Sequence, residues 1–125
     1  MPNRMRALVV CAALAACGPK NHVATPPAVI VFSNESVDMA DVFAERSAGG
    51  SPIRLGSVEA GRTAQLRLPA AALGADGMVT VTARIFARPR LTPTTGPFPL
   101  HAGERMAVRL SSDVRMLSVL PVREP

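Results

Sequence analysis

Hydrophobic and polar residues alternate along much of the chain beyond residue 27. In residues 78–88 the apolar side chains occupy every second position from Val79 to Ile85, while Arg84 and Phe86 fall on the other side. Successive side chains of a β-strand point to opposite faces, so this period of two predicts a half-buried strand. The same pattern recurs in residues 63–68 and 105–110.

Further strands are predicted where β-branched and aromatic runs end in turn-forming residues. The predicted strands are residues 28–32, 41–45, 53–58, 63–68, 78–88, 105–110 and 115–122. Residues 70–73 are long enough only for a helical turn, and residues 89–99, with four prolines, predict a loop or an irregular edge. About seven short strands without an amphipathic helix predict an all-β fold. We expect an antiparallel β-sandwich with immunoglobulin-like or transthyretin-like proportions, a resemblance of architecture alone.

The first 27 residues do not follow this alternation. Arg4 and Arg6, with no acidic residue near them, precede an uninterrupted apolar run over residues 7–16. Crossing a bilayer takes about 20 apolar residues, so the run is too short to span a membrane and is typical of a secretory signal peptide. The sequence therefore predicts a signal peptide in residues 1–16, an acylated cysteine and flexible tether in residues 17–27, and a sandwich domain in residues 28–125.

The boundary of the signal peptide has a more specific pattern. Leu14, Ala15 and Ala16 precede Cys17, which resembles the lipobox of bacterial lipoproteins. The resemblance implies a diacylglyceryl group on the Cys17 sulfur, cleavage before that cysteine and acylation of the new N-terminus. Two or more acyl chains anchor a protein stably to a membrane.

Two neighbouring residues refine this prediction. Cys11 follows bulky residues and lacks the lipobox pattern, so we expect it to leave with the signal peptide. Gly18 follows the acylated cysteine, at a position where an aspartate would resemble a signal for retention in the inner membrane. By that resemblance, the expected location is the cell envelope, at the outer membrane and facing the periplasm.

Removal of the signal peptide changes the composition of the chain. The formal charge of +5 loses Arg4 and Arg6, which leaves 12 basic against 9 acidic residues, or +3. Cys17 is then the only cysteine, so neither a disulfide nor a catalytic thiol is expected. The chain has no Trp or Tyr and four Phe, too few rings to stack on sugars or on single-stranded nucleic acid. We expect no nucleic-acid partner.

The four phenylalanines divide by position. Phe32 and Phe43 are predicted to lie in the core, whereas Phe86 and Phe98 are predicted to be exposed and suited to a protein contact.

Catalytic residues are sparse. Ser111, His101 and Asp113 supply the residue types of a serine–histidine–acid triad, but no nucleophile-elbow motif accompanies them. We expect His101 to be a solvated turn residue and the protein not to be an enzyme.

Metal ligands are equally sparse. Glu35, Asp38 and Asp41 are spaced three apart, but their segment has neither the glycine of a calcium loop nor the histidine or cysteine of a zinc site. We expect these carboxylates to be solvated, and we expect no metal and no cofactor beyond the covalent lipid.

The arginines are the remaining feature. Five of them fall on outward positions of predicted strands: Arg67, Arg84, Arg88, Arg105 and Arg109. In one sheet they would form a surface that binds carboxylate or phosphate groups, although the sequence favours ordinary solvated side chains.

The function predicted from the sequence is that of a membrane-anchored envelope lipoprotein. It would act as a non-catalytic structural or protein-interaction module whose partner is another envelope protein. The alternative is a binding protein for an anionic ligand or an acidic protein, through the arginine-rich face.

Overall fold

The structure, a computed structural model, describes residues 26–122. The predicted signal peptide, the lipobox, Cys17 and most of the tether lie outside the described residues. The strands are β1 (Ala28–Asn34), β2 (Ala40–Arg46), β3 (Ile53–Val58), β4 (Thr63–Leu68), β5 (Met78–Ile85), β6 (Thr94–Pro99), β7 (Arg105–Leu110) and β8 (Leu117–Pro121). A short 3₁₀ turn, Ala70–Ala72, precedes β5. Over this part of the chain, no helix has the length and apolar character needed to cross a membrane.

The eight strands form two four-stranded sheets that pack face to face. Sheet A has the order β4-β1-β7-β8, and sheet B has the order β3-β2-β5-β6. All neighbouring strands are antiparallel except β1 and β7, which are parallel. The predicted all-β sandwich is therefore confirmed, with one parallel pair. This strand order differs from the immunoglobulin order, in which ABED faces CFG.

The core lies between the sheets and is built from the alternating positions. Ile30 and Phe32 of β1 in sheet A, and Val42 of β2 and Val81 of β5 in sheet B, are fully buried and belong to one core cluster. Complete burial of such a side chain contributes about 1.5–3 kcal/mol, so the inward residues of every strand hold the sheets together.

One strand and two phenylalanines differ from the sequence-based prediction. β6 lies within the segment predicted as a loop or irregular edge, and it does occupy an edge of sheet B. Pro97 and Pro99 point outward there, where a missing N–H is tolerated. Phe98 between them is only 7% exposed, so its predicted exposure is wrong. Phe43 is half-buried on the outer face of β2, so its predicted place in the core is wrong.

The sandwich has two ends, which differ in the loops they carry. At the entry end, Pro26 leads the described chain into β1 and contacts the turn at Gly103. At the distal end lie the connections 35–39, 59–62, 86–93 and 111–116. Backbone hydrogen bonds join them, from Asn34 N to Arg62 O at 2.9 Å and from Phe86 N to Met39 O at 3.1 Å.

Candidate functional site

The five predicted arginines do not share one face. Arg67, Arg105 and Arg109 lie on the outer side of sheet A, whereas Arg84 lies on the outer side of sheet B. Arg88 lies in the turn that follows β5, because that strand ends at Ile85. The single arginine-rich face is therefore wrong, since β5 pairs with β2 and β6 and not with β4 or β7.

Two of the arginines nevertheless flank one residue. Arg67 on β4 and Arg105 on β7 are both in register with Val29 of the central strand β1. Strands in a sheet are about 4.8 Å apart, so the two arginine Cα atoms are separated by about 10 Å. Because both side chains point outward, Arg67 and Arg105 flank Val29 on the outer face of sheet A.

This pair lines an open cavity of about 480 Å³, which we call the arginine depression. Its lining residues are Pro26, Pro27, Val29, Gln65, Arg67, Gly103 and Arg105, and none of them is acidic. Among residues 26–122, neither Arg67 nor Arg105 forms a salt bridge. The depression therefore presents two positive charges that no described carboxylate neutralises.

The other three arginines have local contacts. Nε of Arg88 lies 3.7 Å from a carboxylate oxygen of Asp38, and Nε of Arg109 lies 3.8 Å from one of Glu35. The guanidinium carbon of Arg84 lies 4.5 Å from the centre of the Phe43 ring, a cation–π distance. Exposed pairs of this kind contribute about 0–1 kcal/mol, but they orient these three side chains away from a common site.

The three carboxylates considered as metal ligands point to different arginines. Glu35 faces Arg109, Asp38 faces Arg88, and Asp41 lies 3.2 Å from Nη2 of Arg54. Over the described part of the chain, no group of three His, Cys, Asp or Glu side chains converges.

Asp41 has a further hydrogen-bond partner, the hydroxyl of Ser57. That hydroxyl, followed by the Arg54 guanidinium, holds the pKa of Asp41 below its ordinary value. Asp41 thus belongs to a small polar network on the outer face of sheet B.

The three residues of the hypothetical triad do not form one site. Nδ1 of His101 lies 2.8 Å from a carboxylate oxygen of Glu104, in the turn before β7. Ser111 donates from its hydroxyl to Asp113 at 2.5 Å, in the turn after β7. The two turns lie at opposite ends of β7, so the serine and the histidine are not brought together.

Exposed apolar side chains concentrate at the distal end. Val37, Met39 and Phe86 are 83%, 41% and 73% exposed, and we call these three residues the apolar tip. The hydrogen bond from Phe86 N to Met39 O holds their two loops together. The exposure of Phe86 confirms the prediction from its strand position. The sequence pattern did not single out Val37 and Met39, because they alternate with carboxylates in a segment expected to be solvated.

An apolar row crosses the outer face of sheet A beside the arginine depression. Val31, Ala107 and Leu120 are cross-strand neighbours on β1, β7 and β8, and Leu120 is 42% exposed. They line a second open cavity of about 510 Å³ together with Pro121 and Val122. The outer face of sheet A therefore carries apolar residues next to free positive charge.

Comparison with known proteins gives no family assignment. No protein-family model matches the chain, and no curated protein matches it. An NMR structure of a protein from Eubacterium rectale is similar over 79% of this chain and 93% of that chain, at 12% sequence identity and a TM-score of 0.49.

Proposed function

We propose that the protein is an exported bacterial envelope lipoprotein, anchored through Cys17, whose β-sandwich is a non-catalytic protein-interaction module. The anchor is supported by the lipobox resemblance at Leu14, Ala15, Ala16 and Cys17. The single observation that carries the interaction is the apolar tip, in which three large apolar side chains stand exposed on adjoining loops.

The chemistry of the tip favours a protein partner. Exposed apolar clusters bordered by polar residues are typical of interaction sites. Here the salt bridge between Asp38 and Arg88 borders the exposed Met39 and Phe86. A partner that buries these two side chains would also lie within reach of the Arg88 guanidinium as a donor and the Asp38 carboxylate as an acceptor.

The position of the tip supports the same proposal. Pro26 marks the entry end of the sandwich, and a tether from Cys17 reaches the domain there. The apolar tip lies at the distal end, so an anchored domain would present it at the end opposite its attachment point. A second envelope protein, at the periplasmic side of the outer membrane, is the partner that this arrangement suits.

Cross-linking in intact cells tests the interaction. We expect the wild-type protein to form a discrete cross-linked species, and the double variant Val37→Ser with Phe86→Ser to lose it. Met116→Ser is the matched control, since Met116 is likewise exposed on a distal loop, at 63%, but lies outside the tip. Unchanged cross-linking in the double variant would overturn the proposed interaction site.

The anchor has an independent test. Cys17→Ser should move the protein from the membrane fraction to the soluble periplasmic fraction. Mass spectrometry of the mature N-terminal peptide should show the acyl chains in the wild type alone. A Cys17→Ser protein that still sediments with membranes would contradict lipid anchoring.

A further inference from the structure

We infer that the outer face of sheet A is a binding surface for anionic phospholipid, with Arg67 and Arg105 contacting lipid phosphates in the arginine depression. The inference rests on the proposed acylation of Cys17, and it concerns the orientation of the anchored domain. The acyl chains would hold the protein at the membrane, and this face would hold the domain down against it.

The depression suits a phosphate group chemically. A guanidinium group binds phosphate oxygens through two parallel N–H donors. Arg67 and Arg105 stand on either side of Val29 with no acidic residue among the lining side chains. A phosphate above Val29 would meet donors from two directions and no repelling charge.

The depression also lies next to the attachment point. Pro26 is one of its lining residues, and only residues 18–25 separate Pro26 from Cys17. A fully extended chain spans at most about 3.3–3.6 Å per residue, so the depression stays within about 30 Å of the acylated cysteine. The tether therefore keeps the local concentration of headgroups around this site high.

The rest of the same face suits the membrane interface. The row of Val31, Ala107 and Leu120 lies beside the arginine pair, and its apolar side chains can enter the boundary between headgroups and acyl chains. Arginine side chains reach from such a position to the phosphates, because their stems are apolar and their heads are charged.

Charge distinguishes the two outer faces. On the strands of sheet A, every outward residue is apolar, neutral or basic. On sheet B, the outward Asp41 and Glu45 of β2 balance the outward Arg54 and Arg84, so this face has no excess of positive charge. Only sheet A therefore presents a face complementary to an anionic surface.

Spin-label accessibility on the acylated full-length protein tests this orientation. A label at Ala102→Cys reports on the turn beside the depression, and a label at Glu59→Cys reports on the distal end. The protein is reconstituted into phosphatidylcholine vesicles with or without phosphatidylglycerol. We expect the label at residue 102, and not the one at residue 59, to lose contact with a water-soluble relaxation agent when phosphatidylglycerol is present.

Two pairs of variants test whether the orientation depends on the arginines of this face or only on the net charge of the protein. Arg67→Gln with Arg105→Gln should lower the ratio of membrane-apposed to detached domains by roughly fivefold per arginine. Arg62→Gln with Arg90→Gln is the matched control, because it removes the same charge from exposed distal loops. Equal effects of the two pairs, or no effect of phosphatidylglycerol, would overturn the inference.

Further outcomes distinguish a lipid phosphate from a soluble one, and a failed anchor from a failed orientation. Binding of inorganic phosphate that is lost in the Arg67→Gln, Arg105→Gln chain, together with a label at residue 102 that stays accessible on phosphatidylglycerol vesicles, would assign the depression to a soluble anion and overturn lipid binding. A chain without acyl groups would overturn both the anchor and this orientation. An acylated chain with label 102 fully accessible would overturn the orientation alone.

Discussion

Asn34 of β1 donates a 3.0 Å hydrogen bond from Nδ2 to the backbone oxygen of Val58 on β3, which joins sheet A to sheet B. Its second N–H bonds to the backbone oxygen of Asp38 at 2.8 Å, and its Oδ1 accepts from the backbone N and the hydroxyl of Ser36 at 3.0 and 2.6 Å. Asn34 is 1% exposed, so this amide is a buried polar group with every bonding position used.

Replacing this amide should therefore be costly. We expect Asn34→Ala to lower the free energy of unfolding by about 2–4 kcal/mol, because it leaves several buried partners without a bond. Ser33→Ala is the control, since Ser33 points outward and its hydroxyl bonds only to Thr63. Urea denaturation measures both, and equal midpoints for the two variants would contradict the inter-sheet role of Asn34.

Two glycines with nearly the same backbone angle should respond differently to alanine. Gly61 and Gly77 have φ of +70° and +72°, so alanine costs roughly 1 kcal/mol at either position. A Cβ at Gly61 meets open space, whereas one at Gly77 would lie 2.6 Å from Nε2 of His101. Gly77→Ala should cost up to about 1 kcal/mol more, because His101 must shift from Glu104.

A second background tests the cause of that difference. In a His101→Ala chain, Gly77→Ala and Gly61→Ala should have the same effect on the thermal midpoint. A persistent difference would mean that His101 is not the obstacle, and that its place over Gly77 has no structural consequence.

The stacking of Arg84 on Phe43 is measurable as a coupling energy. A double-mutant cycle of Arg84→Gln and Phe43→Leu should give about 0.5–1 kcal/mol of interaction, as expected for an exposed cation–π pair. The same cycle with Arg105→Gln should be additive to within about 0.5 kcal/mol, because Arg105 lies on the other sheet. Denaturation curves of the five variant chains and the wild type supply both values, since Phe43→Leu is shared by the two cycles.

Three aspartates should govern the acid limb of the stability profile. Asp41, Asp76 and Asp113 have a pKa below the ordinary value of 3.8, chiefly because of hydrogen bonds from the Ser57 hydroxyl, the Met78 backbone N–H and the Ser111 hydroxyl, respectively. A depressed pKa means that the folded protein holds fewer protons than the unfolded chain. The stabilisation is thus complete above the ordinary value, and is lost as the pH falls through the folded-state values.

Ser57→Ala tests this assignment for Asp41. The variant should be less stable than the wild type near neutral pH, and the difference should shrink as the pH falls below 3.8 and the carboxyl is protonated in both. Urea midpoints between pH 7 and pH 2 measure the profile. A difference that stays constant through this range would show that the hydroxyl does not act through the Asp41 charge.

The alternation of apolar residues was sufficient to predict most strands and their inward sides. The local sequence was enough to predict that Val79 and Ile85, like Leu66 and Leu68, point inward, because burial of one face of a strand imposes a period of two. The aromatic residues were harder to place. Phe98 stands between two prolines that mask a strand, and Phe43 takes an outward position covered by Arg84.

Membership of a sheet was not predictable in the same way. Arg67 and Arg84 occupy equivalent outward positions in their strands, but β4 pairs with β1 and β5 pairs with β2. That choice depends on contacts between distant segments, which a local pattern does not record. The arginine depression emerged only from the register that sets Arg67 and Arg105 opposite Val29.

The parallel pairing of β1 with β7 has a consequence for the order in which the chain folds. Val29 meets Arg105, a separation of 105 − 29 = 76 residues, so the central strand of sheet A gains its second neighbour only after most of the chain is available. Pairing of segments so far apart costs loop-closure entropy before the stabilising contacts form, and this slows folding. Until β7 arrives, one edge of β1 is unpaired beside the apolar Ile30 and Phe32, and such an unpaired edge makes the partly folded chain prone to aggregate.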